Sequence, residues 1–407
     1  MIIRYRFFLL LSIIFIHFMF LSISKFPLTI APLAICIFLT RHYRITFNKK
    51  KCLLLFFVIF WPIFIFLTYS LFIKTIEITE FASTYLLWLF GSVAVVLGSI
   101  SHIKKFERYS SIYIMALFLV ISFSIVQVLA LRVFDIEALY NPFGEFTYLS
   151  QYSLDRVYSL TGPRAYGLFL EPSYNSFIMF FLMSMILMDD RSNFRIFVYV
   201  IGALGIVFTA SASGILLTFI LLFLIFWLTV IKNNVLRLVL LFLVPIALVS
   251  MIPEELMVRL NEVNLEGTSG YWRLVAPIKI IYEAMLVLPL GIPFGQVNDF
   301  VYNLGIDHGG EKGTSLDNGF AILFFYFGLF AFIFLAAIVY KLLVAIYFRN
   351  YKGVIFWWFI FASLQFSGGI FLPEFIFPIL LILYQYKIVN FNEKLDGPFS
   401  GIKKYIS

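Results

Sequence analysis

Residues 162–173 read GPRAYGLFLEPS, and across them a long polar segment runs into an apolar one. Arg164 and Glu171 stand on either side of that border. An arginine and a carboxylate at a membrane surface cost free energy to place, so charges kept there point to chemistry rather than packing. Outward in both directions the chain alternates apolar runs with short basic segments. Residues 162–173 therefore read as one corner of a membrane scaffold, with a second near Arg273 on the same aqueous face.

Composition sets the class. Of 407 residues, 62% are hydrophobic and only 13% charged, and the mean hydropathy is +0.99. A soluble domain needs more polar surface than this. The 52 Phe and 23 Tyr suit lipid-facing and interfacial positions. The net charge of +8 is spread over short loops rather than gathered in one patch, which makes it topogenic. Nucleic acid is not the expected partner. Cys36 and Cys52 lie in or beside apolar runs and read as small hydrophobes. Arg4 and Arg6 followed by Phe7–Ser24 resemble a signal peptide, but no A-x-A site follows, so this stretch reads as an uncleaved first helix.

A bilayer-crossing helix needs about 20 apolar residues. Candidate spans are Phe7–Ser24, Leu28–Thr40, Cys52–Ile73, Phe81–Ser101, Ser110–Leu131, Gly167–Met188, Phe194–Thr209, Gly214–Ile231, Val235–Ile252, Gly319–Tyr340, Val354–Gly368 and Phe371–Tyr386. The last two are close enough to form a re-entrant pair instead. The expected fold is an all-α integral membrane protein, a single polytopic domain over residues 1–407 with about twelve spans. Most Lys and Arg fall in alternate short segments, from Arg4 and Arg6 through Lys49–Lys51 to Lys403 and Lys404. By the positive-inside rule those segments and both termini are cytoplasmic.

Two long external loops follow from that parity, residues 132–166 and 253–318. Long loops in compact membrane domains are commonly functional. These carry Tyr140, Tyr148, Tyr158, Tyr271 and Trp272, too aromatic for a simple tether. Within the second, Tyr271–Leu290 shows a helical apolar face (Leu274, Ile278, Ile281, Met285) opposite Arg273, Lys279 and Glu283, as expected of an interfacial amphipathic helix.

No Walker loop, HExxH, GxSxG or Cys/His metal spacing occurs, and the four histidines are far apart in sequence. Neither a metal nor another cofactor is implied. What remains is external: Arg164, Glu171, Arg273, Asp317 and Asn318. Guanidinium groups fork onto phosphate oxygens, so Arg164 and Arg273 converging would clamp a pyrophosphate. A carboxylate beside them, Glu171 or Asp317, would serve as general base toward a sugar hydroxyl. The plainer readings are an Arg164–Glu171 ion pair fixing the loop, a snorkelling Arg273 and Asp317 as a helix N-cap. Aromatic faces such as Tyr166 and Trp272 suit the C–H faces of sugar rings, and Asn318 suits their hydroxyls. Glu374, beside Pro373, reads as a helix-end carboxylate.

The run from Arg164 through Gly167 to Glu171-Pro172 resembles the R-x-x-G-x-x-x-E-P element of bacterial Wzy-type O-antigen polymerases. In the second loop, Arg273, then Pro289-Leu-Gly291-Ile-Pro-Phe-Gly295, then Ser315-Leu-Asp317-Asn318-Gly319-Phe, then Gly328 resemble the O-antigen polymerase/ligase superfamily. The resemblance implies a glycosyltransferase acting on undecaprenyl-diphosphate-linked oligosaccharides at the outer face of the cytoplasmic (inner) membrane. Its implied partners are that lipid-linked substrate, membrane lipid and a chain-length regulator protein. Arg164 and Arg273 would bind the diphosphate. Two departures stand out. The ligases' histidine before the late helix is replaced by Asp317-Asn318, which disfavours a ligase. The family's Ser-Arg pair at a tight mid-chain turn appears as Ser211-Ala212-Ser213-Gly214, without its arginine. A flippase for the same lipid-linked sugars is the alternative from another class, but the apolar spans carry few charges for one.

Overall fold

The computed structural model describes residues 2–23, 26–44, 49–72, 78–134, 158–159, 162–169, 172–189, 195–209, 211–229, 271, 275–303, 318–366 and 369–396. They are overwhelmingly helical. In chain order the helices are α1 (Ile2–Ile14), α2 (Ile30–His42), α3 (Lys49–Phe72), α4 (Ile78–Ile100), α5 (Ser110–Val133), α6 (Pro172–Met188) and α7 (Arg195–Phe208). They continue with α8 (Ala212–Thr229), α9 (Ala276–Val287), α10 (Val297–Asn303), α11 (Gly319–Phe327), α12 (Leu329–Tyr347), α13 (Tyr351–Phe366) and α14 (Pro373–Asp396). Four stretches, Cys52–Leu71, Ile78–Ile100, Ser110–Ala130 and Leu329–Tyr347, are long and apolar enough to cross a membrane, and several shorter apolar helices pack among them. The chain is a multi-pass membrane protein.

The bundle is organised around α6. Every residue of this helix except Tyr174 is buried, as expected of a helix that is apolar all round. Phe177 stacks on Phe375 of α14 with centroids 4.9 Å apart, and on Phe359 of α13. On the other side α7 comes close because Gly202 and Gly205 leave room for Met183, Met179 and Ile121. In lipid, helix association rests on such small-residue contacts, since apolar burial offers no bias between protein and acyl chain.

Three expectations are corrected. The first apolar run is not one helix through Ser24. After α1 the chain turns and forms a two-stranded antiparallel hairpin, Met19–Ile23 with Phe26–Thr29, whose inner pairs are Ser22↔Pro27 and Ile23↔Phe26. The Met19–Ile23 stretch carries Phe20 and Ile23, and aromatic and β-branched residues favour the extended form. Next, Gly319–Tyr340 is broken at Gly328, which adopts φ 50° and joins α11 to α12. Last, α9 buries Ala276, Pro277, Ile280 and Ala284 and leaves Ile278, Tyr282 and Leu286 exposed. Ile278 thus points away from the bundle, opposite to expectation. The small side chains permit close approach to α11, and the bulky apolar ones face outward. The span Val235–Ile252 and most of both long loops lie outside the described residues.

The break at Gly328 is held by the proline- and glycine-containing tract 289–295. Ile292 N donates to Phe325 O (2.8 Å) and Leu329 N to Pro289 O (2.9 Å). A Cβ on Gly328 would lie 2.0 Å from Pro289 O, and one on Gly291 (φ 114°) 2.2 Å from Tyr326 O. These two glycines are backbone-to-backbone contacts, and no side chain fits either.

At the opposite end of the bundle from the start of α6, polar groups tie α1, α2, α5 and α14 together. The buried His42 ring contacts Tyr5 OH, Tyr109 OH and Tyr384 OH at 3.0–3.2 Å. Glu107 pairs with Arg41 (3.0 Å) and Lys105 and accepts from Tyr109. Arg41 also lies over the Tyr5 ring. Partial burial works against the Glu107 carboxylate, but hydrogen bonds from Lys105, Tyr109 and Arg41 outweigh it and hold its pKa at about 2. A depressed carboxylate pKa adds stability at neutral pH that is lost only as pH falls through the ordinary carboxylate range toward 2. Purified in detergent, the wild-type protein should therefore lose melting temperature between pH 5 and pH 3. Glu107→Gln should melt several degrees lower at pH 7 and show a shallower acid slope.

Candidate functional site

Gly162–Pro163 pairs as a short antiparallel strand with Tyr158–Ser159. Residues 164–169 that follow are irregular backbone at one end of the bundle, held by uncharged polar side chains of α5 and α6 and by the backbone at the end of α7. Gln127, buried near the end of α5, binds Gly167 twice: Nε2 donates to Gly167 O (2.9 Å), and Gly167 N donates to Oε1 (2.7 Å). The side-chain amide takes the place of a neighbouring strand. Gly167 has φ +66°, and a Cβ there would lie 3.0 Å from both terminal atoms of the Asn175 amide. A glycine is needed here on both counts.

Asn175, in the second turn of α6, donates to Ser124 Oγ of α5 (2.9 Å) and to Ala165 O (3.2 Å). Ala165 N donates to Phe208 O at the end of α7 (3.2 Å). At the next residue, Ser176 Oγ and Thr209 Oγ1 lie 2.6 Å apart. Thr209 and Ser211 form the tight turn between α7 and α8, and Ser211 Oγ accepts from Gly214 N to cap α8. A Cβ on Gly214 would lie 2.7 Å from Ser176 Cβ, so α6 and the start of α8 touch. Ser124, Asn175, Ser176 and Thr209 are wholly buried. In surroundings without water each must find a partner within the protein.

Arg164 is half-buried in this setting, and its Nε donates to Thr209 O at 3.4 Å. Two positive features therefore meet: a guanidinium and the N-terminal end of an 18-residue helix, α8. Helix N-termini carry partial positive charge and bare N–H groups. The turn that lacks the family's arginine is thus the turn that Arg164 reaches.

The other expected site residues divide. Tyr166 is buried within the segment, at 8% exposure. Asn318 caps α11, its Oδ1 accepting from Phe320 N (2.9 Å) and its Nδ2 donating to Gln365 Oε1 of α13 (3.3 Å). The cap is therefore Asn318, one residue after the Asp317 considered for it. Gln365 precedes Phe366, whose ring meets Phe177 of α6 at 5.6 Å. The start of α11 and the start of α6 thus lie at the same end of the bundle. Glu171, Trp272, Arg273 and Asp317 lie outside the described residues. Glu374 sits in the first turn of α14, buried, and accepts from Thr29 Oγ1.

Sequence reading missed Gln127, Ser124, Asn175, Ser176 and Thr209. Each is an uncharged polar residue within or at the edge of an apolar run, and hydropathy averages it away. Their signal was chemical: five amides and hydroxyls in spans that need none.

The model of the WcaD colanic acid polymerase family matches residues 5–389. The chain belongs to that family. This agrees with the resemblance to Wzy-type polymerases drawn from its motifs. A curated relative from Escherichia coli (strain K12), named "Putative colanic acid polymerase", is 31% identical over 199 residues, which cover 46% of this chain and 48% of that protein. The match therefore spans about half of the relative's length. No solved structure matches the chain.

Gly167→Ala should displace the segment without unfolding the bundle. The expected result is normal membrane levels with polysaccharide output cut at least tenfold. Gln127→Leu should do the same, because it leaves both backbone groups of Gly167 unpaired in an apolar setting, at a cost of about 1–3 kcal/mol each. Immunoblotting of membranes beside gel analysis of surface glycan measures both.

Proposed function

We propose that the protein is a membrane glycosyltransferase that joins lipid-diphosphate-linked repeat units into an extracellular polysaccharide of the colanic acid kind. In this reading about twelve segments cross the cytoplasmic membrane, both termini are cytoplasmic, and the 162–173 corner faces outward. The donor is the growing chain on undecaprenyl diphosphate, and the acceptor is the next lipid-linked unit.

The observation that carries this reading is Arg164 at the α7–α8 turn, beside the N-terminus of α8. Transfer breaks the bond between the sugar's anomeric carbon and the diphosphate oxygen, and the electron pair leaves with the diphosphate. An acceptor hydroxyl oxygen forms the new bond and gives up its proton. Negative charge therefore grows on the leaving group as the transition state is approached. Fixed positive groups aimed at that point stabilise the transition state more than the bound substrate. Arg164 and the α8 terminus supply such groups without metal-ligand residues. Arg273 is assigned the second diphosphate contact, Glu171 or Asp317 the proton acceptor, and Tyr166, Trp272 and Asn318 sugar contacts. The family match over residues 5–389 supports the same reaction class.

In a strain deleted for the gene, surface glycan should collapse to single repeat units, and the wild-type gene should restore polymer. Long chains persisting in the deletion would refute the proposal. Arg164→Ala and Arg273→Ala should each lower polymer at least a hundredfold at unchanged membrane level, the range seen when one oxyanion donor is lost. Arg164→Lys should recover only a part, since an ammonium lacks the planar fork.

A further inference from the structure

His17 follows α1 by three residues, in the turn that leads into the first hairpin. It is 1% exposed, and neither ring nitrogen has a hydrogen-bond partner among the described residues. This is unusual chemistry. A buried imidazole always presents at least one N–H donor, and when neutral one bare acceptor nitrogen as well. Leaving both unmet costs stability, and native proteins keep few such groups without a reason.

The surroundings of His17 supply one. Its ring meets Phe169 edge-on (5.7 Å) and Tyr174 edge-on (4.9 Å). Phe169 ends the described part of the Arg164 segment, and Tyr174 is the one residue of α6 that is not fully buried. His17 therefore lies under the corner already singled out, although it comes from the far end of the sequence. Of the ionisable groups nearby, Arg164 donates to Thr209 O and Glu374 accepts from Thr29 Oγ1. Phe18 O accepts from Ile30 N, so the hairpin base fixes the His17 turn against the start of α2.

We propose that His17 is a positioning residue for the acceptor sugar: its neutral imidazole hydrogen-bonds a carbohydrate hydroxyl once the lipid-linked unit is seated. The inference rests on the transferase reading and extends it by naming the ligand group. A hydroxyl fits better than a phosphate, because burial among Phe169 and Tyr174 disfavours the imidazolium form that an anion would require. For the same reason His17 orients the hydroxyl and does not take its proton. The flanking aromatic rings match the apolar faces of a pyranose.

The test compares His17→Phe, His17→Asn and His17→Gln, expressed in the deletion strain and also purified in detergent. His17→Phe keeps the flat aromatic shape and removes both orphan nitrogens. It should melt at or above the wild-type temperature, yet lower polymer at least tenfold. With lipid-linked repeat unit titrated in membranes, that loss should appear as weaker apparent affinity for acceptor more than as a lower maximal rate. Asn or Gln, which restore a neutral donor and acceptor, should recover at least a third of the activity. Should Phe not be accommodated, His17→Leu is read the same way. Wild-type polymer in a stable His17→Phe protein would overturn the inference. So would a loss that neither Asn nor Gln repairs and that tracks a fall in melting temperature. If instead the gene deletion itself leaves polymer, the transferase reading fails independently of His17.

Discussion

A single primary amide lying against a glycine, Gln127 on Gly167, is the contact on which the candidate site depends. Backbone that is neither helix nor sheet keeps its N–H and C=O groups unpaired, and an apolar setting makes that expensive. Gln127 answers both groups of Gly167 at once. Asn175 takes the carbonyl of Ala165, and the end of α7 takes its N–H. With those demands met, Arg164 can project from a fixed, non-helical corner rather than from a helix face. The uncharged polar side chains are the means by which a charged one is held.

The same logic explains which parts of the molecule the sequence disclosed. Helical class followed from composition, because so apolar a chain must satisfy its backbone internally. The Arg164 corner was visible because charge and glycine interrupt a run otherwise made of hydrocarbon. Gly291 and Gly328 were visible as parts of a motif, but their reason was not. They belong to segments far apart along the chain that touch backbone to backbone. The hairpin after α1 escaped notice because Phe, Leu and Ile serve a strand as well as a helix. His17 escaped because one histidine in an apolar run looks like a tolerated exception until its neighbours are known.

Charge is distributed unequally between the two ends of the bundle. At one end Arg41, Glu107, Lys105, Arg108 and Asp189 pair with each other and with tyrosines. At the other, the described segments are joined mainly by amides and hydroxyls, with Arg164 and Glu374 each bound to a neutral oxygen. Paired charges fix helices but have little field left for a ligand. At the other end the Arg164 guanidinium donates to the carbonyl of Thr209, beside the N-terminus of α8. The division separates an end fastened by paired charges from the end that carries the proposed diphosphate site.

Several helices that meet the candidate site are short, although α5, which also ends there, has 24 residues. α1 and α7, which end at the candidate site, have 13 and 14 residues, and α6, which starts there, has 17. By contrast α3 and α4 have 24 and 23. At 1.5 Å per residue the shortest of these rises only about 20 Å, against a hydrocarbon layer about 30 Å thick. A span shorter than the hydrocarbon layer is accommodated by local thinning of the bilayer, by flanking side chains reaching for the interface or by helix association. If the bilayer thins there, the proposed polyprenyl-linked substrate would meet the Arg164 corner without lifting its tail out of the oil.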